Sequence, residues 1–138
     1  MSGHIFFKER WYGFDDALYT GARLLEIISK TNKTCEQVFA DLPNSINTPE
    51  INIHFNEQGQ QFEAMDKLAK NVSFKGAQIT TIDGVRVDYP NGWGLVRPSN
   101  TTPCLVLRFE ADNQKTLTEI QEKFRTWLEA NNISTQDF

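Results

Sequence analysis

The sequence predicts an α+β fold in which two helices cover a mostly antiparallel sheet, and three observations support it. Short runs with strand-like alternation are joined by tight turns, of which Asp83-Gly84 is the strongest signal. Two segments, 60–72 and 113–130, space their apolar residues with a helical period. Strands that follow one another and helices that stand apart from them are typical of α+β layers.

Length, charge and cysteine content limit the class of protein and its partners. The 138 residues suit one domain, or one domain and a fragment of another. The 14 basic and 18 acidic side chains give a net charge of −4, which argues against nucleic acid or an anionic membrane as the main partner. No apolar run has the length of a membrane span and no signal peptide is recognised, so a cytoplasmic location is expected. Cys35 and Cys104 lack C-x-x-C spacing, which predicts reduced thiols.

The first part of the chain is predicted to be helical. Carboxylates at Asp15 and Asp16 suit a helix N-terminus, and this helix is expected to end at Lys30. A short helical turn is predicted at 36–40. The apolar positions of the first helix recur at helical spacing: Phe14, Leu18, Ala22, Leu25 and Ile28.

A boundary between two parts of the chain is predicted in the segment 42–49. This segment contains Pro43, Pro49 and four small polar residues, a composition typical of a linker. The sequence therefore predicts the remnant of one domain over residues 1–44, as a helical tail, and a complete domain over residues 45–138.

The second part is predicted to hold the sheet and its two helices. Apolar residues at 51, 53 and 55 alternate with polar ones, which predicts a half-buried strand with His54 pointing outward. Further strands are predicted at 79–82, 85–89, 93–96 and 105–111. The inward face of the helix at 60–72 is predicted to be Phe62, Met65, Leu68, Ala69 and Val72, and that of the last helix Leu117, Ile120, Phe124, Trp127 and Leu128.

The loop between the last two strands is unusually rich in hydrogen-bond donors. The segment VRPSNTTP, residues 96–103, holds one cation, three hydroxyls and one amide, and no Asp or Glu occurs from Tyr89 to Phe109. Two interpretations are open. The polar side chains can form a surface turn and bond only to their own backbone. Alternatively, hydroxyls, backbone N–H groups and the fork of Arg97 can converge on one anion such as phosphate.

Two motifs connect the chain to a known family. The segment DGVRVDYPNGWGLV followed by RPSNTTP resembles the C-terminal phosphate-binding loop of bacterial α-D-phosphohexomutases of the phosphomannomutase/phosphoglucomutase type. The stretch MSGHIFFKERWYGFDDALYTGARLLEII resembles the sugar-binding loop of the same enzymes and the helix after it. Related phosphoglucosamine mutases usually carry Gly-Thr-Glu-Pro in the phosphate loop, so the sequence NTTP favours the glucose/mannose branch.

The resemblance implies a function for a longer enzyme. Such four-domain enzymes interconvert hexose 1-phosphate and hexose 6-phosphate through a phosphoserine and a hexose 1,6-bisphosphate, which also serves as activator. The serine belongs to the first domain and the Mg²⁺-binding aspartates to the second, and neither motif is found in this sequence. The chain is therefore expected to be a C-terminal fragment that is inactive alone, holds no metal, and has the missing domains of the same enzyme as partners.

The resemblance also implies roles for individual residues. Arg97, Ser99, Asn100 and Thr101 are expected to bind the substrate phosphate. Ser2 is expected to contact sugar hydroxyls. His4 is the candidate for proton transfer in the full-length enzyme, although an imidazole so near a chain end is by default solvated and without function.

Two other classes of function remain open from the sequence. A site without a nucleophile binds and does not react, as in a stand-alone phosphate-ligand or regulatory module. A helix-on-sheet layer also serves some nucleic-acid binders, but the net charge of −4 and the lack of a basic stripe argue against that class.

Overall fold

A computed structural model describes residues 3–42, 45–136 and 138. The chain divides into two compact units, Met1–Pro43 and Asn44–Phe138. This division lies one residue before the predicted domain boundary, and the independent folding of the two parts stays a prediction. Within the described residues, no helix is long and apolar enough to cross a membrane.

The first unit holds two helices, α1 (Ala17–Ser29) and α2 (Cys35–Phe39). Only one of the two predicted capping carboxylates caps α1: the Asp16 side chain accepts a hydrogen bond from the Tyr19 N–H at 2.9 Å. The other, Asp15, contacts His4 instead. The prediction that both residues serve as caps is therefore wrong for Asp15.

Helix α1 leaves its apolar stripe exposed within the described residues. Leu18 is 88% exposed and Leu25 is 67% exposed, and the helix has no buried residue. The covered side is the polar one, where Arg23 stands over the Phe7 ring at 5.1 Å from its centroid and pairs with Glu26 at 3.2 Å. The helix forms where the apolar spacing predicted it.

The second unit contains an antiparallel sheet, as predicted. Its central pair is β5 (Gly92–Pro98) and β6 (Cys104–Ala111), and β4 (Val85–Tyr89) and β3 (Gln78–Thr80) extend it on the side of β5. On the other side, β1 (Ile46–Asn47) and β2 (Ile51–His54) pair with opposite ends of β6.

Strand β1 corrects the prediction of a linker for residues 46–48, whereas Pro43 and Asn44 lie outside the described residues. Ile46 pairs with Ala111, and Asn47 pairs with Glu110. The neighbouring Thr48 accepts a hydrogen bond from the Phe109 N–H through its hydroxyl at 3.2 Å. The polar composition resembled a linker because these residues use hydrogen bonds to the edge of β6 rather than apolar burial.

Two helices, α3 (Gln60–Lys70) and α4 (Gln114–Ala130), pack on one face of the sheet, which confirms the α+β class. The inward face of α4 is the predicted one, and its five residues are buried. The core between helices and sheet includes Leu68, Val87, Leu107, Phe109 and Phe124.

The buried face of α3 is shifted from the predicted one. Phe62 was predicted to face the core and is 39% exposed. The buried residues are Gln61, Ala64, Met65 and Leu68, which are spaced i, i+3, i+4 and i+7. The buried stripe therefore begins with Gln61, whereas it was predicted to begin with Phe62.

Candidate functional site

The donor-rich loop lies where β5 ends and β6 begins. Val96 and Leu107 pair across the two strands and belong to the core. Because side chains alternate along a strand, Arg97 points to the opposite face of the sheet, the one away from α3 and α4. It lies there beside Val106, its partner on β6, and its side chain is half-buried.

Arg97 has no carboxylate at ion-pair distance among the residues that the structure describes. By contrast, Arg86 on the neighbouring strand is paired with Asp88 at 2.7 Å and stacks on Trp93. A guanidinium without a counter-charge, in a stretch of sequence without acids, is available to an anion.

The Ser99 hydroxyl organises the loop from within. Its Oγ accepts hydrogen bonds from the N–H groups of Thr101 at 3.3 Å and Thr102 at 3.2 Å. It also lies 2.9 Å from the Thr102 hydroxyl. Ser99 is buried, so the predicted phosphate ligand is at the same time the internal support of the loop. Its hydroxyl hydrogen is the one donor that it can still direct outward.

The tip of the loop is exposed. Asn100 and Thr101 both face solvent. The Asn100 N–H makes no hydrogen bond to any of the described residues, unlike the N–H groups of its neighbours Ser99 and Thr101. The loop thus presents an open backbone donor and an amide side chain beyond Arg97.

Gly84 sets the position of the strand that carries Arg97. A Cβ at this glycine would lie 2.3 Å from the Val96 carbonyl oxygen and 2.8 Å from the Cα of Arg97. The φ angle of Gly84 is +110°, a region that other residues rarely adopt. The predicted Asp83-Gly84 turn therefore also allows a close backbone approach, which the sequence did not indicate.

Sequence reasoning missed Gln61, which lies under the loop. Its Nε2 donates to the carbonyl oxygens of Ser99 at 3.2 Å and Thr102 at 3.4 Å. Its Oε1 accepts from the Gly59 N–H at 2.9 Å. The signal that could have found it is a polar residue at a core position of the i, i+3, i+4, i+7 pattern.

His4, the candidate proton-transfer residue, lies in the first unit. Its Nδ1 contacts the carboxylate of Asp15, and Phe6 bridges to Asp15 through the backbone. A carboxylate on Nδ1 fixes the ring and leaves Nε2 for another partner. The predicted sugar contact, Ser2, lies outside the described residues.

Candidate metal ligands stay apart in the part of the chain that the structure describes. Among the residues that the structure describes, no three His, Cys, Asp or Glu side chains come together as a metal site. Both thiols are free, Cys35 on the surface and Cys104 buried next to the loop.

Comparisons with known proteins match each of the two units to a domain of one enzyme family. The model of the phosphoglucomutase/phosphomannomutase C-terminal domain matches residues 50–126, and the model of α/β/α domain III of the same enzymes matches residues 1–46. A phosphomannomutase/phosphoglucomutase of Pseudomonas putida is 61% identical over 93% of this chain, and a phosphoglucomutase of Neisseria meningitidis is 56% identical over 95%.

A solved structure shows the same fold. The crystal structure of a phosphoglucomutase/phosphomannomutase family protein from Burkholderia thailandensis superposes with a TM-score of 0.85 at 50% identity and covers 96% of this chain. The chain spans 27–28% of the length of the two curated relatives and 27% of that structure. Because the C-terminal domain model alone matches more than half of its residues, this chain belongs to the phosphoglucomutase/phosphomannomutase family.

Proposed function

We propose that this chain is the C-terminal part of an enzyme that interconverts hexose 1-phosphate and hexose 6-phosphate, of glucose, mannose or both. The reaction proceeds through a phosphoserine, which belongs to another domain, and a 1,6-bisphosphate intermediate. In this proposal the loop at residues 97–103 holds the phosphate that is not being transferred. The names of the relatives, phosphomannomutase/phosphoglucomutase and phosphoglucomutase, support this reaction class.

The observation that carries the proposal is an unpaired cation that is followed, three residues later, by an open backbone donor. Arg97 has no carboxylate partner among the described residues, and the Asn100 N–H has no acceptor there. A guanidinium matches two phosphate oxygens at once, and backbone N–H groups suit a third. The loop therefore has the donors that a phosphate monoester needs.

The composition of the loop suits a substrate that binds in two orientations. The 1,6-bisphosphate must turn round between the two phosphoryl transfers, so the loop must accept the phosphate on carbon 1 and on carbon 6. Donors at Arg97, Ser99, Asn100 and Thr101 read phosphate geometry and little of the sugar. Such a loop can hold either end of the intermediate.

In this proposal the first unit carries the residues that act on the sugar. Ser2 contacts sugar hydroxyls, and His4, held by Asp15, moves a proton at the reacting oxygen. The phosphoserine and Mg²⁺ belong to domains outside these 138 residues, and the chain alone does not turn over substrate.

Kinetics of the full-length enzyme test the role of Arg97. Charge-assisted hydrogen bonds contribute about 1.5–3 kcal/mol, so Arg97→Ala should lower kcat/KM by roughly 10- to 150-fold. Arg97→Lys should recover part of the loss, because an ammonium keeps the charge and not the fork. Lys115→Ala, which removes a cation that is 87% exposed on α4, is the control and should leave kcat/KM unchanged. Unchanged kinetics in Arg97→Ala would show that the loop is only a turn.

A second candidate is a phosphate-ligand binding module that acts without catalysis. It uses the same phosphate donors of the loop, and it needs no nucleophile. Titration of the chain with hexose phosphates and with phosphoserine peptides separates the two candidates. Preference for a phosphoserine peptide would support the module, and preference for hexose phosphates supports the mutase.

A further inference from the structure

Gln61 is a polar side chain in a position of the core. It is 0% exposed, although it lies in the first turn of α3 beside Ala64 and Met65, which face the sheet. Burying an amide is unfavourable unless its donors and acceptor are hydrogen-bonded. Gln61 meets this condition through the loop between β5 and β6 and through Gly59.

The contacts of Gln61 fix which way its amide points. Nε2 faces two acceptors, the carbonyl oxygens of Ser99 and Thr102, and Oε1 faces a donor, the Gly59 N–H. The reverse orientation would place Oε1 against both carbonyls and Nε2 against the N–H. The geometry therefore requires a side chain with two N–H donors and one acceptor, which neither Glu nor Met provides.

The direction of the Ser99 carbonyl determines the direction of the next donor. In a trans peptide the C=O and the following N–H point to opposite sides, and no described peptide bond is cis. With the Ser99 carbonyl held toward Gln61, the Asn100 N–H points away from α3. This N–H is the one without an acceptor among the described residues.

The second carbonyl is held in the same way at the other end of the loop. The Thr102 oxygen accepts from Gln61 and also from the Cys104 N–H at 2.8 Å. Pro103, which follows, has no N–H of its own. Gln61 thus joins the two ends of the segment 99–102 from the core side.

We infer that Gln61 is a positioning residue for the phosphate loop, and this inference rests on the proposed phosphate-binding function. Gln61 orients the peptide between Ser99 and Asn100 so that its N–H faces the phosphate before the ligand arrives. A loop ordered in advance loses less conformational entropy on binding. Gln61 touches no substrate atom and acts through the backbone of the loop.

The test is an NMR titration of the 138-residue chain with inorganic phosphate, followed at the amides of residues 99–102. Gln61→Met keeps the length of the side chain without its polar atoms, and Gln61→Glu keeps the shape but cannot donate to both carbonyl oxygens at once. Each should weaken phosphate binding by about fivefold or more and reduce the phosphate-induced shift of the Asn100 amide. Gln60→Met makes the same change at the neighbouring exposed residue and should bind as the unmodified chain does.

Two further readouts separate positioning from general support of the fold. Amide exchange in β5 and β6 should stay slow in both variants, so that the loss is confined to the loop. In the unmodified chain, the side-chain amide protons of Gln61 should exchange slowly and shift on addition of phosphate. Fast exchange of these protons would overturn the inference even if neither variant folds.

The outcomes distinguish this inference from the function on which it rests. If the unmodified chain shows no phosphate-dependent shift at residues 99–102, the proposed function fails and the inference fails with it. If the unmodified chain binds and Gln61→Met binds within about twofold of it, the loop works without Gln61, and the inference alone is wrong.

Discussion

The two units of the chain have similar helices and very different interiors. In the described residues of the first unit, 3–42, no side chain is buried. In the second unit, Leu68, Leu107 and Phe124 are all 0% exposed. Amphipathic sequence thus forms a helix in both places, but only the second unit also supplies the surface that covers the apolar face. The difference shows that helical periodicity predicts where a helix forms, but does not predict which surface packs against its apolar face.

The largest expected effect concerns hydrogen exchange. Amides in β5 and β6 should be protected to nearly the global free energy of unfolding of the second unit, while those of α1 should exchange through local opening. The protection factors should differ by about a thousandfold or more, since a domain is stabilised by several kcal/mol. Exchange measured by NMR or mass spectrometry checks this. Equal, strong protection in both units would break the comparison.

Truncation of apolar side chains should show the same contrast. Phe124→Ala empties a site at which the ring packs edge-on against Phe109, and it should cost about 3–5 kcal/mol of unfolding free energy. Leu25→Ala, in the exposed stripe of α1, should change stability by no more than about 0.5 kcal/mol. Urea denaturation of both variants measures the difference. A large cost at Leu25 would mean that α1 is covered after all.

Substitution of glycine by alanine should act with opposite signs in the two units. Gly84→Ala places a Cβ 2.3 Å from the Val96 carbonyl oxygen at a positive φ, and it should destabilise by roughly 1–3 kcal/mol. Gly21→Ala meets nothing within 4 Å in α1 and should raise helix stability by about 0.5–1 kcal/mol. Thermal denaturation by circular dichroism tests both. Stabilisation by Gly84→Ala would refute the close approach of this turn to Arg97.

The smallest expected effect is a loss of stability in alkali. Burial raises the pKa of Tyr89 above its ordinary value of 10.0. The folded state therefore holds this proton more tightly, and the resulting stability is complete below pH 10 and is lost as pH rises through the higher folded pKa. Tyr89→Phe should flatten this decline in urea denaturation above pH 10. Tyr12→Phe is the control. If it flattens the decline of stability above pH 10 as much as Tyr89→Phe does, the decline is not caused by Tyr89.

The fold was largely predictable because the apolar residues of most helices and strands recur with the period of that element. The hairpin at Asp83-Gly84 and the inward face of α4 followed from turn chemistry and helical spacing alone. Strand β1 was not predictable, because two residues paired to the edge of β6 carry no periodic pattern.

The position of the loop in the fold was predictable, and its internal architecture was less so, while the roles of its residues stay a prediction. Composition drew attention to the loop around Arg97, and family resemblance added the expectation of phosphate. The dual position of Ser99, the support from Gln61 and the pairing of Asp15 with His4 depend on contacts between residues distant in sequence or on exact loop geometry. The partners in such contacts cannot be read from the sequence, although a polar residue in the core stripe of α3 marks Gln61 itself.

The most direct test of the central claim is whether the loop binds a phosphate ester through Arg97. The 138-residue chain, titrated with glucose 1-phosphate and followed by NMR, should bind with a dissociation constant on the order of millimolar, because one loop supplies what a whole active site normally provides. The amides of residues 99–102 should move first, and the movement should disappear in Arg97→Ala and persist in Lys115→Ala. Shifts that survive in Arg97→Ala, or that arise elsewhere on the chain, would contradict the assignment of this loop as the phosphate site.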